Sequence, residues 1–133
     1  MSKVTIYGLL ASPPVRGVLI ACELAGIPYE LKIQEPGNKT PEFKKLNPQA
    51  QTPFLVDDGF GLGESRAILQ YLMDKYSKDD SLYPKDLKAR ALVNARLNFD
   101  NGTLWPQLFP ATKAIFSGNK VPEDVHQNIK KFV

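Results

Sequence analysis

Hydrophobic and polar positions alternate with two different periods along the first third of the chain. Residues 4–9 (VTIYGL) alternate and are rich in β-forming side chains, which predicts a strand. Ser12, followed by two prolines, is a suitable start for a helix that runs to about Ala25 and stops at Gly26. Residues 29–33 form a second strand pattern. Two strands joined through a helix predict a βαβ unit with parallel strands.

A second set of elements follows a polar loop over residues 35–40. The segment 41–46 predicts a short helix with Thr40 as its cap, and residues 54–56 and 61–62 predict a hairpin around Asp58-Gly59. Residues 64 to about 76 carry apolar side chains on one side of a helix. The order βαβ and then ββα predicts an α/β domain of thioredoxin-like arrangement.

The remaining sequence predicts a change of domain. Residues 77–86 are polar and contain Pro84, so we assign residues 1–77 to the first domain, 78–86 to a linker and 87–133 to part of an all-helical second domain. A helix is predicted from residue 87 to about residue 109, with Pro106 and Pro110 expected to kink or interrupt it.

A further helix is predicted to start at residues 122–124, where two acids suit the positive end of the helix dipole. Its apolar side continues to Phe132 at the end of the sequence with no stop signal. We therefore expect the chain to be a C-terminally shortened form of a longer protein.

Composition narrows the functional classes. The formal charge is +3 over 133 residues and the lysines are dispersed, which argues against a nucleic-acid partner. The sequence contains no signal-peptide core and no apolar run long enough to span a bilayer. We therefore expect a cytoplasmic location and no membrane partner. The single cysteine, Cys22, lies in an apolar helical pattern and is expected to be a small buried hydrophobe.

The candidate chemistry is concentrated between residues 47 and 72. A helix start carrying Glu64, Ser65 and Arg66 offers partial positive charge and side chains that suit both an α-amino group and an α-carboxylate. Thr52-Pro53, placed just before a strand, is a candidate cis peptide bond, and it leaves backbone groups for pairing with an extended ligand. This combination favours an amino acid or a peptide end as ligand.

Three segments of this sequence resemble the cytosolic glutathione transferases, most nearly the arthropod delta and epsilon classes. They are VTIYGLLASPPVRGVLIACELAGIPYEL, TPEFKKLNPQAQTPFLVDDGFGLGESRAILQYL and LYPKDLKARALVNARLNFDNGTLW, in family order across most of residues 3–105. The resemblance implies a thioredoxin-like domain followed by helices, glutathione as co-substrate without a metal, a small electrophilic second substrate, and a homodimer.

Within this resemblance, Ser12 is the expected catalytic residue, since a hydroxyl at this position hydrogen-bonds the glutathione sulfur and favours its thiolate. A simpler interpretation makes Ser12 only a helix cap. Tyr7 is a competing hydroxyl, although its place in an alternating strand favours packing. The segment 12–15 (SPPV) lacks the C-x-x-C pattern, which excludes thioredoxin-type redox chemistry.

The resemblance also assigns the remaining glutathione contacts. Glu64 and Ser65 would hold the γ-glutamyl end with Arg66 alongside, unless they form only a helix cap with a surface arginine. Thr52 would offer its backbone N–H and C=O, directed by the Pro53 bond.

Two departures from the family pattern concern the glycyl end of glutathione. Ala50 and Asn38 stand where delta and epsilon members carry histidines, and the one histidine of the chain, His126, lies in the last helix. Asn38 and Gln51 would then supply neutral hydrogen bonds, with charge from Lys39. Weaker glutathione binding is the expected result.

A set of apolar side chains between residues 104 and 116 could form the wall of a pocket for the second substrate. The candidates are Leu104, Trp105, Leu108, Phe109 and Phe116, which fit an ordinary helical core equally well. The sequence is therefore compatible with three functions: a glutathione transferase, a non-catalytic protein that binds glutathione or hydrophobic ligands, and a dimerisation partner of full-length relatives.

Overall fold

A four-stranded sheet organises the first part of the chain. The computed structural model describes residues 3–35 and 39–131. Strands β1 (Val4–Gly8), β2 (Tyr29–Ile33), β3 (Phe54–Asp57) and β4 (Phe60–Leu62) lie in the order β2-β1-β3-β4. Strand β2 is parallel to β1, whereas β3 and β4 are antiparallel to their neighbours. The predicted thioredoxin-like βαβ-ββα arrangement is confirmed.

Three helices accompany this sheet, and local sequence signals set their ends. Helix α1 (Pro13–Ala25) ends at Gly26, which has the left-handed backbone conformation (φ 64°) that glycine adopts without strain. Helix α2 (Pro41–Leu46) begins where Thr40 Oγ1 accepts a hydrogen bond of 3.2 Å from the Phe43 N–H. Helix α3 spans Ser65–Tyr76.

The two faces of the sheet bury different sets of side chains because successive strand residues point to opposite sides. Buried Ile6 and Leu55 are register partners on one face, where buried residues of α1 and α3 pack together. On the other face, Phe43 of α2 packs with Phe54, Ala50 and the half-buried Tyr7. The Tyr7 and Phe43 ring centroids are 5.3 Å apart, which confirms the packing role expected for Tyr7.

A buried carboxylate links the β3–β4 hairpin to α3. The side chain of Asp57 is 1% exposed, and it accepts hydrogen bonds from Tyr71 Oη at 2.8 Å, Lys75 Nζ at 2.8 Å and Tyr76 Oη at 2.7 Å. Three donors on one helix therefore meet one carboxylate at the end of β3. This cluster, which we call the Asp57 cluster, fixes the C-terminal half of α3 to the hairpin.

The second part of the chain is helical. Helix α4 (Leu87–Phe99) passes through a π-helical segment (Asp100–Leu104) into α5 (Trp105–Phe116), and α6 spans Glu123–Lys130. The expected end near residue 109 is wrong. Pro106 is the second residue of α5 and directly follows the π-helical segment, and Pro110 lies inside α5, which continues to Phe116. Phe132 lies outside the described residues.

The chain divides into two compact units, Met1–Pro84 and Lys85–Val133. Residues 77–86 contain neither helix nor strand, and Tyr83 within them is buried. The domain limits given above stay a prediction. Within the described residues, no helix combines the length and the hydrophobicity needed to cross a bilayer.

Candidate functional site

The predicted site residues of the first unit lie in segments that adjoin one end of the sheet. Strand pairing places Tyr7 opposite Phe54, and Leu55 opposite Leu62. The end of β1, the start of β3 and the end of β4 therefore lie side by side. Ser12 follows the end of β1, Thr52-Pro53 directly precedes β3, and Glu64-Ser65 follows the end of β4.

Ser12 occupies the N-cap position of α1, but its hydroxyl makes no capping hydrogen bond. Its backbone N–H donates to the Leu9 carbonyl at 2.9 Å, and its carbonyl accepts from the Arg16 N–H at 3.0 Å. Pro13 and Pro14 follow and have no N–H groups to offer. Because the Ser12 side chain makes no capping bond, the interpretation of Ser12 as a side-chain cap alone is not supported.

The close packing of β1 against α1 sets the position of this helix start. Gly8 is the last residue of β1, and a Cβ atom added there would lie 2.6 Å from Val15 Cγ2. Such a distance is shorter than any ordinary contact between carbon atoms. The absence of a side chain at residue 8 thus allows the first turn of α1 to approach the sheet.

The loop before β3 presents backbone rather than charge. The Thr52-Pro53 peptide bond is cis, as predicted, and Pro53 is buried while Thr52 is half-buried. Within the described residues, neither backbone group of Thr52 is paired with another backbone group. The expected pairing of these two groups with a peptide ligand, in the way an added strand pairs, stays a prediction.

Glu64 is held in an unusual backbone conformation at the start of α3, with φ 65° and ψ 102°. Such a conformation costs a residue with a Cβ about 1–3 kcal/mol, and residues of this kind cluster at functional sites. Glu64 itself is exposed, whereas the adjacent Ser65 is 6% exposed. The backbone is therefore strained at Glu64, at the start of the helix that carries Ser65.

Ser65 and Arg66 act as a pair at this helix start. Arg66 Nη1 donates a hydrogen bond of 2.8 Å to Ser65 Oγ. Because a hydroxyl has one donor and two acceptor positions, this bond occupies an acceptor position of Ser65, and the binding of a ligand by the Ser65 O–H stays a prediction. The pair adds a guanidinium charge to the partial positive charge of the helix N-terminus, which together favour a carboxylate.

The positions where the family histidines were expected differ from one another. Ala50 is 7% exposed, has a left-handed backbone (φ 52°) and packs with Phe43 and Phe54. Its methyl group is thus part of an apolar cluster. Asn38, the other position, lies outside the described residues. Gln51 has an exposed side chain next to Thr52.

The candidate residues for a hydrophobic substrate all belong to the second unit. Leu104, Trp105 and Leu108 are half-buried, while Phe109 and Phe116 are 51% and 61% exposed. The rings of Trp105 and Phe109, one helical turn apart, are 5.7 Å from centroid to centroid. None of the five is a buried core residue, and their role stays a prediction.

Three buried polar residues, Gln34, Asn47 and Asp57, were not predicted from the sequence. Asn47, 5% exposed, donates a hydrogen bond of 2.7 Å from Nδ2 to the Gln51 carbonyl, and Asp57 gathers the cluster described above. Asp57 shares a sheet face with the buried Leu55, two residues earlier, so strand alternation was a usable signal for it. Asn47 had no comparable signal beyond an Asn-Pro turn dipeptide.

Cys22 behaves as predicted. Its side chain is fully buried as a free thiol, and burial, helped by the negative charge of Glu23, raises the pKa of Cys22 to about 11. It therefore stays protonated and unreactive at neutral pH. Among residues 3–35 and 39–131, no group of three or more His, Cys, Asp or Glu side chains is placed to hold a metal ion.

The sheet order, the cis-proline loop and the two helix starts define a thioredoxin-like domain. Residues 6–80 match the family described as glutathione S-transferase, N-terminal domain. The chain therefore belongs to the glutathione S-transferase family.

Individual relatives point to the same family. Glutathione S-transferase 1 of Manduca sexta is 46% identical over 108 residues, covering 78% of this chain and 50% of its own length. A Nilaparvata lugens delta-class glutathione transferase superposes with a TM-score of 0.88 at 44% identity, covering 97% of this chain and 62% of that one.

A further structure, a Drosophila mojavensis glutathione transferase homologue with bound glutathione, superposes with a TM-score of 0.89 at 40% identity. The match covers 98% of this chain and 63% of that one. The insect relatives confirm the resemblance to the delta and epsilon classes. The chain spans about half the length of the curated relatives it matches.

Proposed function

We propose that this chain binds glutathione and transfers its sulfur to small, mostly apolar electrophiles, as a glutathione transferase. The observation that carries the proposal is the Ser12 hydroxyl, which stands at the start of α1 without a capping bond. It follows the same end of the sheet as the cis-proline loop and the start of α3. A homologous structure with bound glutathione supports the choice of ligand.

Ser12 would act by stabilising the thiolate of glutathione. Its hydroxyl donates a hydrogen bond to the sulfur, and the N-terminus of α1 adds a favourable potential, so the thiol pKa falls and its proton passes to solvent. The thiolate then forms a carbon–sulfur bond with the electrophile, and the displaced group leaves with its electron pair. The protein supplies positioning and electrostatic stabilisation without a covalent enzyme intermediate.

The remaining site residues would hold the tripeptide in an extended conformation. Thr52 pairs through its backbone with the cysteinyl part, while Ser65 and Glu64 bind the carboxylate and amino groups of the γ-glutamyl end, with Arg66 alongside. Gln51, together with Asn38, receives the glycyl end through neutral hydrogen bonds. Because a neutral hydrogen bond contributes about 1 kcal/mol and a charge-assisted one about twice that, we expect weaker glutathione binding than a histidine-containing site gives.

The second substrate and the partners belong to the same proposal. An apolar electrophile fits the aromatic and aliphatic residues of the second unit, named above, because such pockets are mostly apolar. A homodimer is the expected assembly. A cytoplasmic location is part of the same proposal.

The test is a titration of glutathione into the purified chain, monitored by ultraviolet thiolate absorbance and by calorimetry. The Ser12→Ala variant and an exposed-serine control, Ser117→Ala, run in parallel. We expect wild type and Ser117→Ala to form thiolate near neutral pH, and Ser12→Ala to bind glutathione without it. Binding without thiolate in wild type would favour the sequestering function, whereas no binding at all would overturn the glutathione assignment.

A further inference from the structure

Asn47 is one of the few buried polar residues of the described chain, and its hydrogen bonds link the end of α2 to the loop before β3. Its backbone N–H donates to the Phe43 carbonyl at 2.7 Å at the end of α2, and its carbonyl accepts from the Ala50 N–H at 2.8 Å. Its side-chain Nδ2 donates to the Gln51 carbonyl at 2.7 Å. One residue thereby ties the end of α2 to two successive positions of the loop before β3.

The loop needs such a residue because its own backbone offers little pairing. Pro48 and Pro53 have no N–H, and Ala50 adopts a left-handed conformation with φ 52° that does not belong to a helix or a strand. The Gln51 carbonyl directly precedes Thr52, whose backbone is the proposed partner of the peptide ligand. The Gln51 carbonyl and the Thr52 N–H belong to one planar peptide unit, so holding that carbonyl at 2.7 Å also restricts the orientation of the Thr52 N–H.

We infer that Asn47 is a positioning residue for glutathione binding, which acts through the Gln51 carbonyl on the backbone of Thr52 without touching the ligand. This inference rests on the proposed function. Its burial, at 5% exposure, and the short bond make the interaction strong enough to fix one loop conformation before the ligand arrives. Without the bond the loop is less ordered before binding. Ordering it on binding costs free energy, so the affinity for the ligand falls.

The Asn47→Asp variant tests the bond with minimal change of shape. An ionised aspartate cannot donate to the Gln51 carbonyl and repels it, whereas a protonated aspartate donates through its O–H. Burial raises the pKa of an introduced carboxyl group, so protonation falls within an accessible pH range. We expect glutathione to bind about tenfold more weakly to this variant than to wild type at pH 8, with the deficit shrinking as the pH falls to 5.5.

Asn98→Asp is the matched control. Asn98 Nδ2 donates to the Asn94 carbonyl at 2.8 Å, a bond of the same type on an exposed turn of α4. Its glutathione affinity, measured by calorimetry as a ratio to wild type at each pH, should stay constant. Asn47→Ala, which removes the donor without adding charge, should lose about fivefold at every pH.

The outcomes separate the inference from the function on which it rests. A pH-dependent recovery confined to Asn47→Asp supports the positioning role. Wild-type binding accompanied by unchanged affinity in both Asn47 variants, or by a loss in Asn47→Asp that does not respond to pH, overturns it. If wild type itself binds no glutathione while remaining folded, the proposed function fails instead. Should Asn47→Asp not fold, the Asn47→Ala affinity decides.

Discussion

Lys75 places its ammonium nitrogen 2.8 Å from Oδ2 of Asp57, which joins α3 to the end of β3. Burial raises the pKa of Asp57, but hydrogen bonds from Lys75, Tyr76 and Tyr71 outweigh burial, and the net pKa lies below its usual value. The bond to Asp57 in turn raises the pKa of Lys75. A folded-state pKa below the unfolded one means that the carboxylate stabilises the fold above about pH 4 and loses this contribution as the pH falls further.

The first prediction concerns Asp57→Asn. Removing the charge weakens three hydrogen bonds at once, so the free energy of unfolding at pH 7 should fall by about 2 kcal/mol. The difference from wild type should shrink as urea unfolding is repeated from pH 5 down to pH 3, where the native carboxylate itself becomes protonated. Asp58→Asn, at the exposed neighbouring position, should stay within about 0.5 kcal/mol of wild type. An equal loss at every pH would show that charge plays no part.

The second prediction separates the two candidate hydroxyls. Ser12→Ala should reduce turnover with a standard electrophile about tenfold or more near pH 6.5, because the bound thiol keeps a higher pKa. Tyr7→Phe preserves the ring that packs on Phe43 and should remain within about twofold of wild type. The pH dependence of kcat for both variants provides the measurement. The reverse pattern would transfer the thiolate role to Tyr7.

The third prediction uses the strained backbone of Glu64. Glycine adopts φ 65° without a steric penalty but is more flexible when unfolded, so Glu64→Gly should raise the free energy of unfolding by about 1 kcal/mol. The same variant should bind glutathione more weakly, because in the proposed site the γ-glutamyl end loses its carboxylate partner. Asp58→Gly relieves another positive φ, 48°, away from the site. Its glutathione affinity, from calorimetry, should equal that of wild type, and a matching drop there would refute a role specific to Glu64.

The fourth prediction follows from the burial of Cys22. With a pKa raised to about 11 and no exposed surface, this thiol should resist a thiol-reactive dye at pH 8 in the native protein. Adding denaturing urea should give one labelled thiol per chain, because Cys22 is the single cysteine. The labelling rate below the unfolding midpoint should follow the population of unfolded chains. Fast labelling without denaturant would contradict the buried position.

Most of the fold was predictable because its boundaries have local causes. Gly26 ends α1, Thr40 caps α2, and the Asp58-Gly59 turn has positive φ at both residues, as the hairpin requires. The course of α4 and α5 was not predictable in the same way. A π-helical turn precedes Pro106 and shifts the hydrogen-bonding register, and no local propensity signals such a turn.

The same distinction between local and long-range causes decides which parts of the candidate site were predictable. The cis bond before Pro53 and the helix starts at Ser12 and Ser65 are encoded within a few residues, and the sequence predicts them. The side-chain bonds of Asp57 join residues 14 to 19 positions apart, and they depend on how α3 packs against the sheet. Periodicity identifies which face a residue occupies, but it does not identify the partner it meets there.

The contact between Gly8 and Val15 has a consequence for anyone who redesigns this site. Adding a methyl group at residue 8 would push α1 outward, and Ser12 would move with its helix although neither contacting residue carries the chemistry. Trimming residue 15 to alanine in the same molecule would remove the two shortest contacts, at 2.6 and 2.9 Å, and leave one of 3.3 Å to the Cβ atom. Positions 8 and 15 together therefore set how closely α1 approaches β1, and a redesign of this helix start has to vary both of them.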